Sequence, residues 1–372
     1  MVTTAAHKLA TTLKKEFGED SVMMASEMKR YPAITSGSLA LDFAVGICGL
    51  PTDRVIELSG AEGTGKTTLA LLVMQQFLAA QPDRAGLILD LEHKLDSDWL
   101  KFLLGDDLVE NRIIYIQPDH IEGATNILKK ALASGDVCCA ILDSIGGAPT
   151  IRRNDDAQVA SFGGNSQGAG EFARAAATFS AKYQCLTIGI NQVRADMSGY
   201  NRHMTPGGMA WKFAVALRLL LKRITKSTVT QKVNGEDCVI GYEVACKVVK
   251  SSLSPQGRTA SWWFYNVPTE EYGFGIDTLE EIIRLGILTN VIARKGGWYH
   301  HPLLPEDKGE HKILGRDRLM EHIRSDVELQ AALSKEITAN LAEHASDVAP
   351  ISNPDDDIED KSHFAKINVA NL

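Results

Sequence analysis

The strongest chemical signal in the sequence is a glycine-rich segment that ends in a lysine and a threonine. Residues 60–67 have the sequence GAEGTGKT, which fits the pattern GxxxxGK[ST] between an apolar run and a helix-forming run. In that context backbone N–H groups can surround phosphate oxygens at the positive end of a helix dipole. We predict an ATP-binding loop made of Gly60, Ala61, Glu62, Gly63, Thr64, Gly65, Lys66, Thr67 and Thr68.

Two side chains of this loop have separate predicted roles. Lys66 is expected to reach the β- and γ-phosphates of ATP, and Thr67 is expected to be a ligand of Mg²⁺. The alternative is a glycine-rich turn that happens to precede a helix. The flanking strand and helix argue against that alternative.

Three further apolar runs end in side chains that suit phosphate chemistry. LILDLEH ends with Asp90 and Glu92, AILDS ends with Asp143 and Ser144, and TIGINQ ends with Asn191 and Gln192. Ligands of open parallel sheets bind beyond the carboxyl ends of the strands, so these groups are predicted to face the phosphates. We expect Asp143 to hold Mg²⁺ and Glu92 to be the general base for the attacking water. Asp90 is interpreted as a helix cap.

The alternation of short apolar runs with helical stretches predicts the fold class. Apolar and polar residues do not alternate strictly in these runs, which is typical of strands buried on both faces of a parallel sheet. The runs are RVIELS, GLILDL, RIIYIQ, VCCAIL and CLTIGI. Helices are predicted at 67–80, 122–134 and 171–183, and the runs 215–221 and 243–249 are predicted to extend the sheet. We therefore predict an α/β fold with a doubly wound, mostly parallel sheet.

The two ends of the chain differ from this central region. Leu9, Leu13 and Phe17 are spaced four apart, which predicts an amphipathic helix that docks on its own domain or on a neighbouring subunit. Beyond residue 268 helices alternate with glycine-rich turns. We predict an N-terminal helical segment at 1–32, a central core at 33–267, a small C-terminal α/β domain at 268–340 and an acidic flexible tail at 341–372.

Composition indicates a folded, water-soluble protein with an uneven charge distribution. The chain is 44% hydrophobic and 23% charged, and no apolar run approaches the roughly 20 residues of a membrane helix. The six cysteines form no CxxC pair, so we expect free thiols and no zinc. The net charge is −8, yet residues 197–235 contain seven basic and no acidic residues. We predict a cytoplasmic location and no membrane partner.

Eight sequence blocks, in order, resemble the RecA family of homologous-recombination proteins of bacteria and bacteriophages. The blocks are KKEFGEDSVM, ITSGSLALDFAVGICGLP, GAEGTGKTT, LDLEHKLD, ILDS, INQVR, PGGMAWKF and KGGWYHH. The resemblance implies a RecA-like ATPase core that uses ATP and Mg²⁺. It also implies a head-to-tail helical filament on single-stranded DNA, pairing with homologous double-stranded DNA, and strand exchange. Single-strand-binding and loader proteins are possible further partners, and the N-terminal helix would dock on the neighbouring protomer.

The resemblance also assigns roles to individual positions of this sequence. Asp96 and Trp99 match the positions that contact and stack on adenine, and Gln192 matches the sensor of the γ-phosphate. Two DNA-binding loops are implied at about 151–167 and 193–209. The implied DNA-binding residues are Arg152, Arg153, Phe162, Gly163, Gly164, Asn165, Arg174, Arg194, Met197, Arg202, Gly207 and Gly208.

The residues themselves support these DNA loops only in part. Arginines suit phosphate oxygens, but Asp155 and Asp156 cancel the charge of two of the arginines in the first loop. Phe162 and Met197 either insert between bases and support stretching or fold back onto the protein, and the sequence favours neither alternative.

One implied subunit contact departs from the family pattern. Lys212, Phe213 and Lys250 match interface positions, and Lys250 matches the first of two lysines that reach the neighbour's γ-phosphate. The position of the second lysine is occupied by Ser252, so a slower or differently triggered ATPase is expected. The alternative functions are a recombination mediator or regulator that binds DNA and nucleotide without strand exchange, and a hexameric helicase.

Overall fold

The computed structural model describes residues 4–19, 22–27, 32–150, 164–193, 205–233, 236–269 and 272–343. Contacts within the chain define two compact units, Met1–Pro32 and Ala33–Leu372. No helix in the described ranges is long and apolar enough to cross a membrane.

The first unit contains the predicted N-terminal helix, α1, at Ala5–Phe17, and a short 3₁₀ helix at Ala25–Glu27. Thr4 caps the N-terminus of α1 by accepting a hydrogen bond from the backbone N–H of His7. The helix ends at Gly18, whose backbone N–H donates to the carbonyl of Lys14 at 2.9 Å. The predicted stripe includes Leu9 and Phe17, whose exposed fractions are 59% and 62%.

The second unit is built on a large mixed sheet. A separate antiparallel pair, β1 and β2, precedes it at Ala33–Ile34 and Leu50–Pro51. The strands of the large sheet are β3 Val55–Gly60, β4 Ala85–Asp90, β5 Ile113–Ile116, β6 Val137–Asp143, β7 Leu186–Gln192, β8 Leu217–Val233, β9 Glu236–Ser251, β10 Thr259–Tyr265 and β11 Gly275–Ile276. In the described residues their order is β11-β10-β9-β8-β3-β7-β6-β4-β5.

The six strands from β8 to β5 run parallel, and β9, β10 and β11 continue the sheet in antiparallel pairs. Every residue of β3 and β6 is buried, as their apolar sequences predict. The two later runs do extend the sheet, but β8 and β9 are longer than predicted. They form a long hairpin in which antiparallel pairing continues through polar residues to Val233 and Glu236.

Helices cover both faces of this sheet, which confirms the doubly wound α/β fold. They are α2 Leu39–Val45, α3 Lys66–Ala80, α4 Ser97–Leu104, α5 Asp106–Asn111, α6 Ile121–Ala133, α7 Gly164–Tyr183 and α8 Gly208–Ala214. Neighbouring β3 residues belong to different cores because successive strand side chains point to opposite faces. Ile56 belongs to the core that contains Phe77 of α3, and Val55 to the core that contains Phe172 of α7.

The C-terminal part of the second unit contains a small sheet and three helices. The sheet has the order β12-β13-β15-β14 in the described residues, with strands at Ala293–Lys295, Trp298–His300, Glu310–Leu314 and Glu306–Asp307. The helices are α9 Thr278–Leu288, α10 Arg316–Ser325 and α11 Val327–Glu343.

A buried carboxylate connects this part to the N-terminus of α2. Glu281 of α9 accepts hydrogen bonds from Ser38 Oγ at 2.6 Å and from the backbone N–H of Leu39 at 2.9 Å. The Glu281 carboxyl group provides an acceptor for one of the first N–H groups of α2, which have no partners within the helix. The apolar core is also continuous across this contact, since it includes both Leu41 and Ile337.

Candidate nucleotide-binding site

The predicted phosphate loop connects β3 to α3 and has the backbone that a phosphate cradle requires. Gly63 and Gly65 have φ values of 71° and 83°, which favour glycine. A Cβ on Gly60 would lie 2.6 Å from the carbonyl oxygen of Leu221. Gly65 is the N-cap of α3 and provides no side-chain cap, so the first N–H groups of this helix suit an anion. This geometry fits the phosphates of ATP.

Lys66 is buried at the start of α3. Its ammonium group donates a hydrogen bond of 2.7 Å to the carbonyl oxygen of Ala61 in the same loop. Burial lowers the pKa of Lys66, and the charges of Asp143, Glu92 and Glu62 oppose that shift. A phosphate group would give the Lys66 ammonium an anionic acceptor in place of the neutral backbone carbonyl.

The two predicted metal ligands are in direct contact. Thr67 Oγ1 donates a hydrogen bond of 2.7 Å to Asp143 Oδ2. Asp143 is 9% exposed, and burial raises its pKa to about 6, helped by the charges of Glu92 and Asp90 and opposed by Thr67 and Lys66. The Thr67 hydroxyl and the Asp143 carboxylate are oxygen ligands of the kind that Mg²⁺ prefers.

Glu92 lies where three side-chain donors converge. Ser144 Oγ donates to Glu92 Oε1, and Gln192 Nε2 donates to the same oxygen at 3.4 Å. Lys94 Nζ lies 2.6 Å from Glu92 Oε2. Burial alone raises the pKa of Glu92, but the hydrogen bonds from Lys94 and Ser144 outweigh it and hold the pKa below its ordinary value. Glu92 is therefore ionised at neutral pH, as a general base must be.

Asp90 has a structural role, though not as the cap of an α-helix. Its carboxylate accepts hydrogen bonds from the backbone N–H groups of Glu92, His93, Lys94 and Leu95, and from the hydroxyl of Tyr115. The N-cap of α4 is instead Asp96. Asp90 fixes the loop that presents Glu92, because one carboxylate binds four consecutive N–H groups.

Gln192 is connected to a buried polar network at the end of β7. Its backbone N–H donates to Asn191 Oδ1 at 3.1 Å. Asn191 Nδ2 donates to Glu57 Oε1 at 3.3 Å and to the carbonyl oxygen of Pro206 at 2.9 Å. Glu57 is fully buried in β3 and also accepts from Trp211 Nε1 at 3.0 Å. The network joins the strand before the phosphate loop to the end of the second predicted DNA loop and to α8.

The two predicted adenine-contacting residues lie at the start of α4. Asp96 Oδ1 accepts a hydrogen bond of 2.8 Å from the backbone N–H of Trp99. The Trp99 ring is stacked on Phe102 with a centroid distance of 5.6 Å and contacts the edge of Phe274 at 5.7 Å. Trp99 remains 37% exposed, which leaves part of the ring available to a base.

The predicted interface residues cluster at the end of α8. Lys250 Nζ donates to the carbonyl oxygens of Lys212 at 2.7 Å, Phe213 at 3.1 Å and Val215 at 2.7 Å. Phe213 is 73% exposed. Ser252 lies one residue beyond β9 and donates from its hydroxyl to the carbonyl of Ala216 at 3.1 Å. Within the protomer, Lys250 therefore caps the C-terminus of α8.

Most of the predicted DNA-binding residues are outside the described part of the chain. These are Arg152, Arg153, Phe162, Gly163, Arg194, Met197 and Arg202. Gly164 and Asn165 begin α7, and the Asn165 side chain is not described. Arg174 is exposed on α7. Gly207, with a φ of 102°, and Gly208, with a φ of 70°, begin α8 at the end of the second predicted loop.

Sequence analysis missed several polar residues that the fold brings to this site. Glu57 is the one acidic residue in the apolar run RVIELS, and that isolated charge was a signal of a buried polar contact. Its main partner, Arg218, belongs to the basic segment 197–235. The neighbouring sequence does not indicate which basic residue of that segment pairs with a buried carboxylate. Lys94 follows a strand that had already supplied candidates, and nothing in its spacing indicates that it contacts Glu92. Ser144 was named as a group at the end of its strand, but its contact with Glu92 was not predicted.

Comparison with known proteins agrees with the site geometry. Residues 5–266 match the family described as the RecA N-terminal domain. The chain is 33% identical over 343 residues to Protein RecA of Thermus aquaticus, with 91% of this chain and 93% of the relative covered. It is 28% identical to Protein RecA of Acinetobacter baylyi, with 90% and 91% covered, and 31% identical to that of Acholeplasma laidlawii, with 88% and 94% covered.

Proposed function

The chain belongs to the RecA family, and from that premise we propose how its residues support DNA-dependent ATP hydrolysis and strand exchange. Its function is that of a RecA-type DNA recombinase and ATPase. The observation that carries the residue assignments is the convergence of Lys66, Asp143 and Glu92 at one edge of the sheet, joined by Gln192. The mediator alternative is not favoured, because relatives named RecA match over about nine-tenths of the chain.

We propose that the phosphate loop binds the triphosphate of ATP and that Thr67 and Asp143 hold Mg²⁺. When bound, the metal neutralises charge on the β- and γ-phosphates. Lys66 turns from the Ala61 carbonyl to the phosphates, and the α3 N-terminus contributes its unpaired N–H groups. Trp99 and Asp96 contact the adenine. The support is the loop backbone, the hydroxyl–carboxylate pair and the partly exposed Trp99 ring.

Glu92 is proposed to be the general base for the attacking water. Its carboxylate is ionised and held by Ser144 and Lys94, so it can accept a proton without first losing one. Gln192 contacts the same carboxylate and is proposed to detect the γ-phosphate. The support for this assignment is that Gln192 lies between Glu92 and the network that ends at Pro206.

DNA binding is proposed for the loops at about 151–167 and 193–209, with Arg174 adjoining the first loop. The partners are single-stranded DNA and homologous double-stranded DNA, and single-strand-binding and loader proteins are further proposed partners. Support for the second loop comes from its described end, where Gly207 begins α8 and Asn191 binds the carbonyl of Pro206. Contacts with a neighbouring protomer in a head-to-tail filament are proposed for Lys212, Phe213 and Lys250.

The proposed domain organisation is that of the sequence analysis: an N-terminal polymerisation segment at 1–32, a core at 33–267, a small domain at 268–340 and an acidic tail at 341–372. The supporting observations are the separate unit at Met1–Pro32 and the small sheet after β11. A cytoplasmic location is proposed because the DNA substrate of a recombinase is there.

One experiment tests the proposed function and separates it from the alternatives. The protein is mixed with single-stranded DNA and a slowly hydrolysed ATP analogue and imaged by electron microscopy, and strand exchange with homologous duplex is measured in parallel with ATP. We expect helical filaments and exchanged products, and neither with Lys66→Ala. Closed rings would indicate a helicase. DNA binding with no filament and no exchange would indicate a mediator, and either result would overturn the proposal.

A further inference from the structure

Glu92 has an ion-pair partner within its own loop that the sequence patterns did not identify. Lys94 Nζ lies 2.6 Å from Glu92 Oε2. The Glu92 side chain is 13% exposed, whereas that of Lys94 is 65% exposed. The lysine therefore reaches from the mouth of the site toward a carboxylate that is largely shielded from water.

The backbone of Lys94 is held in place by contacts other than the ion pair that its side chain makes. The N–H of Lys94 donates to Asp90 Oδ2 at 3.0 Å, as part of the set of N–H groups that Asp90 binds. The N–H of Glu92 donates to Asp90 Oδ1 at 2.9 Å. Both residues of the pair are thus held by one carboxylate, which reduces the conformational entropy that the Lys94–Glu92 contact would otherwise cost.

The ion pair completes the set of contacts around Glu92. Ser144 and Gln192 both donate to Oε1, and Lys94 occupies Oε2. Without Lys94, the second carboxylate oxygen would have no donor in the described contacts, and the side chain could rotate about its terminal torsion. Contacts to both oxygens fix the plane of the carboxylate, and catalysis by a general base depends on that orientation.

Other charged groups near Lys94 belong to the same site. Glu62 of the phosphate loop and Asp143 at the end of β6 attract the Lys94 ammonium, and Lys66 repels it. Asp90 adds a further negative charge near Glu92. A cation between these carboxylates offsets their mutual repulsion at short range. An isolated ion pair on the surface contributes little to stability, and the neighbouring carboxylates distinguish the Lys94–Glu92 pair from such a pair.

We propose that Lys94 is a positioning residue for ATP hydrolysis, which holds the Glu92 carboxylate in the orientation needed to activate water. This inference rests on the proposed role of Glu92 as the general base. Lys94 acts through Glu92, so its loss affects turnover and leaves nucleotide binding largely intact.

The test compares Lys94→Ala and Lys94→Arg with a matched surface variant, Lys101→Ala. Lys101 also forms an ion pair of 2.7 Å, with Glu110, but it belongs to the α4–α5 surface. In DNA-stimulated ATP hydrolysis, we expect Lys94→Ala to lower kcat about tenfold and to leave KM for ATP within about twofold, since only an interaction that orients the base is lost. Lys94→Arg should recover most of kcat, and Lys101→Ala should match the wild type.

Measurements in the Glu92→Gln variant distinguish failure of this inference from failure of the proposed function. In Glu92→Gln, the further change Lys94→Ala should cause no additional loss, because two residues that act as one unit have non-additive effects. An independent loss in that background would overturn the positioning role. So would a raised KM with unchanged kcat, which would indicate direct contact with the nucleotide, or equal losses in Lys94→Ala and Lys101→Ala. Full activity of Glu92→Gln alone would instead overturn the assignment of the base.

Discussion

Arg218 and Glu57 form an ion pair in which Nε lies 2.8 Å from Oε2 and the carboxylate side chain is fully buried. Arg218 also donates from Nη2 to Thr205 Oγ1 at 2.8 Å. With Trp211 and Asn191, this pair ties β3, β7, α8 and β8 together behind the phosphate loop. The pair thus connects the nucleotide site to the end of the proposed second DNA loop.

Loss of the cation from this pair should destabilise the fold strongly. Arg218→Met keeps an apolar side chain of similar length but leaves the buried Glu57 carboxylate without its charged partner, which costs about 3–5 kcal/mol. The free energy of unfolding is measured in urea. Lys101→Met removes the cation of an ion pair of similar length whose carboxylate, that of Glu110, is 58% exposed, and it should change the free energy of unfolding only slightly. Equal losses in the two variants would show that burial of Glu57 has no special effect.

The central sheet and the nucleotide site could be predicted because each rests on a local pattern. The apolar strands that end at Asp143 and Gln192 carry these candidate groups at one edge of the sheet, where Asp143 contacts Thr67 and Gln192 contacts Glu92. The length of the β8–β9 hairpin was underestimated because its residues toward Val233 and Glu236 are largely polar. Its strands pair with each other through backbone hydrogen bonds, which leave no apolar periodicity in the sequence.

The contacts that orient the site could not be predicted from spacing. Lys94 and Glu57 contact partners that only the folded arrangement of the side chains brings together. Glu57 and Arg218 are 161 positions apart in the sequence. The prediction that Asp90 caps a helix was wrong, because its carboxylate binds four N–H groups of a loop and Asp96 is the N-cap of α4. The sequence does not distinguish such a loop from the start of a helix.

Replacement of Thr67 by valine should weaken nucleotide binding in a Mg²⁺-dependent way. Valine preserves the shape of the side chain but removes the hydroxyl that contacts Asp143. We expect affinity for an ATP analogue to fall at least about tenfold with Mg²⁺ and to change little with a chelator, since a metal contact is lost. Titration calorimetry measures both conditions, with Thr338→Val on α11 as the control for a threonine outside the phosphate loop. An equal loss with and without Mg²⁺ would argue against Thr67 as a metal ligand.

A lysine at position 252 should accelerate DNA-stimulated hydrolysis. Ser252 occupies the position at which the family resemblance implies a second interface lysine, and its hydroxyl donates to the carbonyl of Ala216 within the protomer. Ser252→Lys is expected to raise kcat severalfold in saturated filaments, because a second cation would reach the neighbour's γ-phosphate. Ser252→Met tests length without charge and should give no increase. Unchanged rates for Ser252→Lys at matched filament saturation would contradict the proposed cross-subunit role.

Glu281 should make the stability of the protein depend on pH below neutrality. Burial raises the pKa of this carboxyl from 4.5 to about 7, despite hydrogen bonds from Ser38 and the backbone of Leu39 and the charge of Arg284. Between these two pH values the folded state binds a proton that the unfolded state has lost. The free energy of unfolding therefore falls as pH rises through this interval, by at most about 3 kcal/mol for this group.

The variant Glu281→Gln isolates this contribution. Glutamine stays neutral at every pH, so the decline in unfolding free energy between pH 4.5 and pH 7 should become shallower, although loss of an acceptor for Ser38 or Leu39 lowers stability at all pH values. Urea unfolding at several pH values measures the slope. Glu321→Gln, an exposed position on α10, should leave the slope unchanged. A slope in Glu281→Gln equal to that of the wild type would mean that Glu281 stays ionised in the folded protein.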